Sequence, residues 1–268
     1  MLQQPVSSSF SERLRDKIWI VSSGSLDSFP RPGCNCRLCQ MARKGGKDRR
    51  LGATSIFYKD CLFDIGPGVW NRLRKHRVTP KAIILSHVHL DHLGDLILFP
   101  WISKRIPVWT SSLHKDLFQE LKIKGNYFEP NSSFKPIPDL LIQTKIAIHT
   151  FTRPLSLLRF DDVIYAPDLG EITPLDLLFA KGVKFWMGDG FSFDEDFVLA
   201  GEKLHQSMKK LLVQLKKLKS LESVLFLGIG HHNRWPHEDL ELIVKQFALA
   251  AQLPFTVEIG FDQQLIPM

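Results

Sequence analysis

Short apolar runs, separated by polar, glycine-rich and proline-rich segments, dominate the hydrophobic pattern of the chain. Runs of strand length predict β-strands at 17–21, 54–58, 61–65, 82–86, 107–110, 141–149, 163–166, 183–187, 223–227 and 255–259. Apolar residues at helical spacing predict helices at 69–76, 112–121, 203–218 and 237–249. Strands followed by a helix, repeated twice, predict an α/β fold, a four-layer αβ/βα sandwich. Residues 54–65 are predicted to form a hairpin that turns at Lys59 and Asp60.

The length of 268 residues and the apolar content of 44% suffice for one large domain with a sizeable core. We expect residues 1–16 to be a loosely ordered lead-in and residues 17–268 to form a single domain. The sequence contains neither an apolar run of membrane-spanning length nor an apolar signal-peptide region near its start, so no membrane partner is expected. The oligomeric state is not defined by the sequence, and a homodimer stays open.

The chain is basic, with 35 Lys and Arg against 28 Asp and Glu and a net charge of +7. This excess favours anionic partners, either a small anionic substrate or a nucleic acid. The lysines at 209, 210, 216, 217 and 219 fall on a predicted amphipathic helix, where they are typical of a solvated face. A small anionic substrate is therefore favoured over nucleic acid.

A cluster of potential metal ligands follows the apolar run 82–86, namely His87, His89, Asp91 and His92. Neutral imidazole and carboxylate are the ligand types that catalytic zinc, iron and manganese sites use. Two histidines two residues apart can point the same way from extended backbone. Asp91 and His92 lie on the following turn, where they would reach a second ion nearby.

The cysteines suggest a separate metal site of a different kind. Cys34, Cys36 and Cys39 lie within six residues of a loop rich in proline and glycine, and three thiolates can surround one tetrahedral zinc. A fourth ligand has to come from elsewhere, and His231 or His232 is the obvious donor. Thiolate-rich closed sites are structural, so we expect one structural Zn²⁺ here. These cysteines do not resemble a disulfide framework, which favours a reducing, cytoplasmic location.

The pattern His-x-His-x-Asp-His resembles the signature of the metallo-β-lactamase superfamily, whose members are mostly metal-dependent hydrolases. The Cys-x-Cys-x-x-Cys loop resembles one branch of it, which contains the phosphoribosyl cyclic phosphodiesterase of phosphonate catabolism (PhnP) and relatives from pyrroloquinoline quinone biosynthesis. Further similarity lies at 62–66, at His149, at 165–168 and at 261–262. The resemblance implies an αβ/βα sandwich with one or two catalytic metal ions at one edge.

The resemblance also implies a role for each matching residue. One metal would bind His87, His89 and His149, a second would bind Asp91 and His92, and Asp168 would bridge the two. The zinc of the cysteine loop would take His231 as its fourth ligand. Asp64 would orient a ligand histidine by a hydrogen bond. His205 falls where the phosphodiesterase has a histidine that can donate a proton.

One departure from the family pattern concerns Gly228. The ungapped match places Gly228 where the family has the last ligand of the second metal, and glycine has no donor side chain. The catalytic site would then hold one ion, or bind a second ion weakly with substrate, or take His232 or His237 as a substitute ligand. The ligand set suits Zn²⁺, Mn²⁺ or Fe, as one or two ions.

The implied reaction is hydrolysis of a small cyclic or nucleotide-like phosphodiester. A metal ion would lower the pKa of a bound water so that hydroxide exists near neutral pH. Asp91 would orient this water and His205 would protonate the leaving alkoxide. Phosphate recognition or plain surface charge is expected of Arg31, Arg49, Arg50 and Arg153. Three alternatives stay open: an RNA-processing hydrolase, a thioester or lactone hydrolase, and a degenerate member acting as a binding protein.

Overall fold

Two seven-stranded mixed sheets pack face to face in the structure, a computed structural model that describes residues 10–14, 16–25, 29–50, 52–149 and 154–268. The strand order is β16-β1-β2-β3-β4-β5-β6 in the first sheet and β15-β14-β11-β10-β9-β8-β7 in the second. The first sheet consists of β1 (Lys17–Ser22), β2 (Ser55–Tyr58), β3 (Cys61–Phe63), β4 (Ala82–Ile84), β5 (Val108–Ser111), β6 (Asn126–Phe128) and β16 (Leu265–Pro267).

The second sheet consists of β7 (Ser133–Ile137), β8 (Leu140–Ala147), β9 (Leu155–Phe160), β10 (Val163–Ala166), β11 (Phe185–Asp189), β14 (Ser223–Leu227) and β15 (Thr256–Ile259). A separate two-stranded hairpin is formed by β12 (Phe197–Leu199) and β13 (Glu202–His205). Strands β3, β4, β5 and β6 run parallel in the first sheet, as do β10, β11, β14 and β15 in the second.

Helices cover the outer face of each sheet. The described helices are α1 (Phe10–Arg13), α2 (Arg37–Lys44), α3 (Val69–Lys75), α4 (Leu90–Leu98), α5 (Ile102–Arg105), α6 (Lys115–Glu120), α7 (Pro174–Phe179), α8 (Met208–Leu215) and α9 (His237–Ala250). Short 3₁₀ turns lie at Gly46–Asp48, Ser112–His114 and His231–Asn233. None of the helices in the described part of the chain is long and apolar enough to span a bilayer.

Side-chain alternation along the strands produces three apolar layers. On β1, Ile18 and Ile20 belong to the cluster between the sheets, whereas Trp19 and Val21 belong to the cluster under the helices of the first sheet. A third cluster joins the outer face of the second sheet to α7, α8 and α9. Because a strand points alternate side chains to opposite faces, a sheet that is covered on both sides is apolar on both. The predicted four-layer αβ/βα sandwich is confirmed.

Several predicted elements are confirmed and two need correction. β2 and β3 pair as an antiparallel hairpin, with Lys59 and Asp60 at positive φ in its turn. The predicted helix over 203–218 is wrong at its start, because Glu202–His205 is a strand and the helix spans only Met208–Leu215. The run that ends at Ile259 is not the final strand, because Leu265–Pro267 returns to pair with β1.

The start of the chain differs from the predicted loose lead-in where the structure describes it. Phe10 lies in the short helix α1, and its ring contacts Trp19 at 4.9 Å and His76 at 4.4 Å between centroids. Leu14 is buried in the outer cluster of the first sheet. Residues 1–9 and 15 lie outside the described residues.

Candidate metal centres and active site

The candidate catalytic residues converge on the edge where parallel strands of both sheets end. Asp64 follows β3, His87 follows β4 by three residues, and Asp168 follows β10 by two. His89 is the N-cap residue of α4, in an extended conformation that continues the strand direction. Because parallel strands of a sheet end at the same edge, residues distant in sequence meet there, which is the usual position of sites in α/β folds.

One group of potential metal ligands brings together His87, His89, His149 and Asp168, whose ligand atoms all lie within 4.8 Å of one another. Nδ1 of His89 is 3.1 Å from Nε2 of His87 and 3.0 Å from Nε2 of His149. Oδ2 of Asp168 lies 3.5 Å from Nε2 of His87 and 4.0 Å from that of His149. The structure therefore brings together the four residues predicted for the first metal.

A second group consists of Asp91, His92 and Asp168. Nε2 of His92 lies 3.2 Å from Oδ2 of Asp168 and 3.6 Å from Oδ2 of Asp91. Asp168 is common to both groups, at the position expected of a bridging ligand. Three side chains suit an open site, because catalytic metal sites keep at least one position for water or substrate.

In two of the histidines, the ring nitrogen that points away from the ligand group is hydrogen-bonded, as metal binding requires. Nδ1 of His149 donates to the Leu204 carbonyl at 3.0 Å, and Nδ1 of His92 donates to Oδ2 of Asp64 at 2.9 Å. A neutral imidazole that donates through Nδ1 has its lone pair on Nε2. Nε2 of each ring then faces the Asp168 carboxylate and the other ligand atoms. This arrangement is typical of metal-binding histidines, whose second nitrogen is hydrogen-bonded to a carboxylate or carbonyl. Burial lowers the pKa of His92, but the nearby Asp168, Asp91 and Asp64 charges outweigh it and raise this pKa well above its usual value, so a bound ion would displace a proton from Nε2.

Asp64 connects the strand end to His92 through a fully satisfied, buried carboxylate. It accepts hydrogen bonds from the backbone N–H and hydroxyl of Ser86, both at 2.8 Å, and from the Tyr165 hydroxyl at 2.9 Å. Its backbone adopts φ 60°, a region that non-glycine residues rarely occupy and that is favoured at functional sites. Burial, and then the neighbouring Asp64 charge, raise the pKa of Tyr165 well above its usual value, so this phenol stays a donor.

Burial determines the protonation of His87 and Asp91. It lowers the pKa of His87 well below its usual value, so this imidazole is neutral at physiological pH, as a metal ligand must be. Burial also raises the pKa of Asp91, since an ionised carboxylate loses hydration in this edge cavity. A bound cation would favour the ionised carboxylate, so the cluster suits a positive ion.

His205 lies beside the first group in a tight pair with Asp189. Its Nδ1 donates to Oδ2 of Asp189 at 2.7 Å, and its ring lies 5.7 Å from that of His149. Burial alone would lower the pKa of His205, but the Asp189 carboxylate, together with the charges of Asp168 and Asp91, outweighs it and raises the pKa to about 9. Burial raises the pKa of Asp189 to about 6. At neutral pH, His205 is therefore an imidazolium paired with an ionised Asp189.

The cysteine loop folds against His231, as predicted for a structural zinc. Nε2 of His231 lies 3.6, 3.3 and 3.4 Å from the sulfurs of Cys34, Cys36 and Cys39. Two tetrahedral ligands at the usual Zn–S and Zn–N distances are about 3.5 Å apart, so this spacing fits zinc. Cys61, by contrast, is buried in β3, and burial raises the pKa of its thiol to about 12.

The last ligand position of the second group stays without a side chain. Gly228 has φ 67°, and a Cβ built there would meet the Thr54 hydroxyl at 3.4 Å and the Pro167 carbonyl at 3.7 Å. His232 and His237 belong to neither group of catalytic ligands. His232 contacts the rings of Phe191 and Phe197, whereas Nδ1 of His237 pairs with Arg50. The alternative that one of them replaces the missing ligand is therefore wrong.

The predicted phosphate-binding arginines have different positions. Arg50 is buried and donates to the Ser23 hydroxyl, the Gly260 carbonyl and Nδ1 of His237, so it is a structural residue and the prediction is wrong. Arg31 and Arg49 are exposed. Arg153 lies outside the described residues.

Sequence reasoning missed Asp189 and the aromatic residues beside His205. The sequence Gly188-Asp189-Gly190 at the end of a predicted strand is a signal for a functional carboxylate, because glycine permits close backbone approach there. Phe191, which stacks on His205 with centroids 4.2 Å apart, has no comparable local signal.

Comparisons with known proteins agree with this fold. The family model described as "Beta-lactamase superfamily domain" matches residues 57–227, more than half of the chain. The chain therefore belongs to the metallo-β-lactamase superfamily, as its histidine motif predicts.

Among solved structures, a new diphosphatase from the PhnP family is 20% identical with a TM-score of 0.72, covering 94% of this chain and 97% of that one. Zn²⁺-bound PqqB from Methylobacterium extorquens is 14% identical with a TM-score of 0.74, covering 94% and 100%. An octanoyltransferase from Porphyromonas gingivalis is 21% identical over 243 residues, 84% of this chain and 48% of that protein. The chain thus spans about half the length of this curated relative.

Proposed function

We propose that this protein is a metal-dependent hydrolase that cleaves a small cyclic or nucleotide-like phosphodiester or diphosphate. The observation that carries the proposal is the His205–Asp189 pair beside two ligand groups that share Asp168. A site for hydrolysis at phosphorus requires a cationic electrophile, a nucleophilic water and a group that protonates the leaving oxygen. At this edge, the ligand groups would hold the electrophilic ion, Asp91 would orient the water and His205 would protonate the leaving oxygen.

The ligand groups would hold one or two divalent ions, for which Zn²⁺, Mn²⁺ and Fe²⁺ are chemically suitable. Such an ion supplies Lewis acidity toward the phosphoryl oxygens and an ionised water near neutral pH. We infer that His87, His89, His149 and Asp168 hold the first ion, and that Asp91, His92 and Asp168 hold the second more weakly. The cysteine loop with His231 would hold a structural Zn²⁺.

His205 is proposed to act as the general acid. Its Nδ1 is committed to Asp189, so the proton on Nε2 is the one available to a leaving alkoxide. The Asp189 carboxylate keeps His205 protonated at neutral pH, with a pKa of about 9. Asp91, whose carboxylate oxygen lies beside His92 and is partly accessible, would orient the attacking water.

The choice of a phosphate ester has independent support. The similar PhnP-family structure is described as a diphosphatase, which cleaves at phosphorus, and the net charge of +7 favours an anionic substrate. An RNA substrate has less support, because Lys209 and Lys210 of the predicted basic face pair with Asp194 and Asp196. We also propose a reducing, cytoplasmic location, because the three clustered thiols face one histidine without forming disulfides.

Hydrolysis of an acyl thioester is a second candidate, favoured by the octanoyltransferase of which this chain matches about half. An ion held by the same ligand groups would polarise a thioester carbonyl as well as a phosphoryl oxygen. A His205→Gln variant separates the two, because a thiolate leaving group needs much less protonation than an alkoxide. Loss of activity in this variant is expected for alkyl phosphodiesters and not for thioesters.

The proposal is tested with the metal-loaded protein on phosphodiester, diphosphate, RNA and acyl-thioester substrates. His87→Ala should abolish both turnover and loading of the catalytic ions. His76→Gln, which changes a half-buried histidine just after α3 and away from the site, should behave as wild type. Full activity of His87→Ala would refute the proposed role. Stoichiometric metal without turnover of any substrate would favour the degenerate, binding-protein alternative.

A further inference from the structure

A wall of aromatic rings extends away from His205. Phe191 stacks on His205 with centroids 4.2 Å apart and an interplanar angle of 10°. Phe197 lies 4.8 Å from Phe191 and 5.9 Å from His205, and His232 lies 5.0 and 4.9 Å from Phe191 and Phe197. The rings therefore form a continuous aromatic cluster that begins at the proposed proton donor, with Phe191 buried and with Phe197 and His232 more exposed.

A pocket of about 300 Å³ adjoins the far end of this wall. Phe197, His232 and Trp235 provide its aromatic lining, and the acidic run 194–196 and Arg234 provide its charges. The volume lies at the lower end of the range for small-molecule sites, about 300 to 1,000 Å³. Phe197 is half-buried and His232 is exposed, so both rings are accessible to a ligand.

The polar groups of the pocket differ in their availability. Asp194 pairs with Lys209 and Asp196 pairs with Lys210, so these two carboxylates are neutralised within the fold. Glu195 and Arg234, in contrast, make no ion pair with any side chain of the described residues. The pocket thus offers aromatic faces, one available carboxylate acceptor and one available guanidinium donor.

We propose that this pocket binds the nucleobase of the substrate, so that the proposed hydrolase acts on nucleoside phosphodiesters or diphosphates. The inference rests on the proposed function and adds a substrate class to it. Aromatic side chains bind bases by stacking with little dependence on sequence. Carboxylates accept hydrogen bonds from base amino and imino groups, and arginine donates to ring acceptors. A planar ring with both donors and acceptors complements all the groups of this pocket.

The hairpin β12–β13 connects the proposed base pocket to the candidate catalytic site. The hairpin β12–β13 carries Phe197 at one end and His205 at the other, and these two residues are paired across it. The phosphoryl group would lie at the ligand groups and keep the nucleoside, whose base would lie against Phe197 and His232, while the other ester oxygen would depart beside His205. The sugar would span the 5.9 Å between the rings of His205 and Phe197.

The kinetic test compares thymidine 5′-(p-nitrophenyl phosphate) with ethyl p-nitrophenyl phosphate, which have the same leaving group. We expect wild type to favour the nucleoside ester in kcat/KM, and Phe197→Leu to reduce that preference about tenfold, the size of one base-stacking contact. Phe197→Trp should retain the preference because it keeps an aromatic face. Phe134→Leu is the matched control, since Phe134 is a half-buried ring that stacks between Trp109 and Phe128.

The binding test uses isothermal titration of the metal-loaded protein with AMP and with ribose 5-phosphate, and does not depend on turnover. AMP should bind about tenfold more tightly than ribose 5-phosphate, and Phe197→Leu should remove this difference. Glu195→Ala should weaken AMP more than ribose 5-phosphate, because the variant removes the acceptor for the adenine amino group.

The two tests separate failure of the subsite from failure of the hydrolase. Equal kcat/KM for both esters, unaffected by Phe197→Leu, would overturn the subsite and leave phosphodiester hydrolysis standing. Selective AMP binding that depends on Phe197, without turnover of either ester, would retain the subsite and overturn the proposed reaction. AMP binding no tighter than ribose 5-phosphate would overturn the subsite whatever the activity.

Discussion

Single residues that do not face the substrate set the properties of the metal-binding side chains. The Asp64 carboxylate accepts four hydrogen bonds, two from Ser86, one from Tyr165 and one from His92. Both of its oxygens are therefore paired. Its role is to fix the ring of His92 and to keep the lone pair of Nε2 directed at Asp168 and Asp91.

Replacing Asp64 with Asn should weaken binding of the second metal about 10- to 100-fold, because the His92 ring loses its charged partner. Metal affinity measured by chelator competition checks this. Asp95→Asn is a suitable control, because Asp95 is equally buried but accepts from the backbone N–H groups of Gly68 and Trp70 at the start of α3. That variant should lose stability and keep its metal affinity. Equal metal affinity in both variants would argue against the role of Asp64.

Gly228 allows a direct test of the incomplete second group. A Cβ fits there at 3.4 Å from the nearest atom, although φ 67° strains any L-residue. Gly228→His should therefore raise occupancy of the second ion at about 1 kcal/mol cost in stability. Gly228→Ala carries the strain without the donor and should leave metal content unchanged. Identical metal content of the two variants, by mass spectrometry, would contradict the assignment of this position.

His237 makes the free energy of unfolding depend on pH. Burial and the adjacent Arg50 lower its pKa to about 4 in the folded state, whereas an unfolded histidine titrates near 6.5. The unfolded chain therefore binds more protons between pH 6.5 and 4, and stability falls as pH falls through this window. At pH 5.5 the loss should be about 1 kcal/mol. Urea denaturation should show a smaller loss in His237→Asn, which keeps an acceptor for Arg50 but cannot titrate.

At the scale of secondary-structure elements, the local hydrophobic pattern predicted the strands and helices that pack in the core. It failed for the segment that carries His205 to the candidate site. β4 follows from an apolar run that ends at polar ligands. Residues 203–205 continue the helical spacing of α8, yet they belong to β13, because Ala200 and Gly201 at positive φ turn the chain into a hairpin. No periodicity distinguishes the two outcomes, because the hairpin packs against Asp189 and Phe191, which are distant in sequence.

The cysteine loop contacts His231 outside it and caps a helix of its own. Cys36 is the N-cap of α2 and its sulfur accepts from the backbone N–H of Cys39, which is a side-chain cap that a metal-bound thiolate would also provide. Cys36→Ser should reduce the metal content of the purified protein by one ion per chain, as measured by mass spectrometry. About three ions in wild type would indicate a filled dinuclear site, and two would indicate one catalytic ion. No change in the variant would refute the structural zinc.

On the scale of the whole molecule, the two sheets share one apolar layer, and the last strand returns to pair with the first. We therefore propose that residues 17–268 unfold as one unit. Calorimetry of the metal-loaded protein should show one transition, and a chelator should lower its midpoint, because metal binding stabilises only the folded state. Two resolved transitions would contradict the single domain.

Strand alternation in the sequence predicted the layers, and the resemblance to the family implied the ligand groups that the structure brings together. The sequence did not predict that Arg50 is buried, because that depends on Ser23, Gly260 and His237, which lie far apart in sequence. It also did not predict the pairing of His205 with Asp189, which requires the sheet order.

His231 and His232 are consecutive, yet the first faces the three cysteines and the second lines the proposed nucleobase pocket. One short 3₁₀ turn, His231–Asn233, therefore positions both side chains. A ligand that orders His232 would also hold His231 in place, and a metal ion at the cysteines would do the converse. By reciprocity of linked equilibria, each ligand would raise affinity for the other by the same factor.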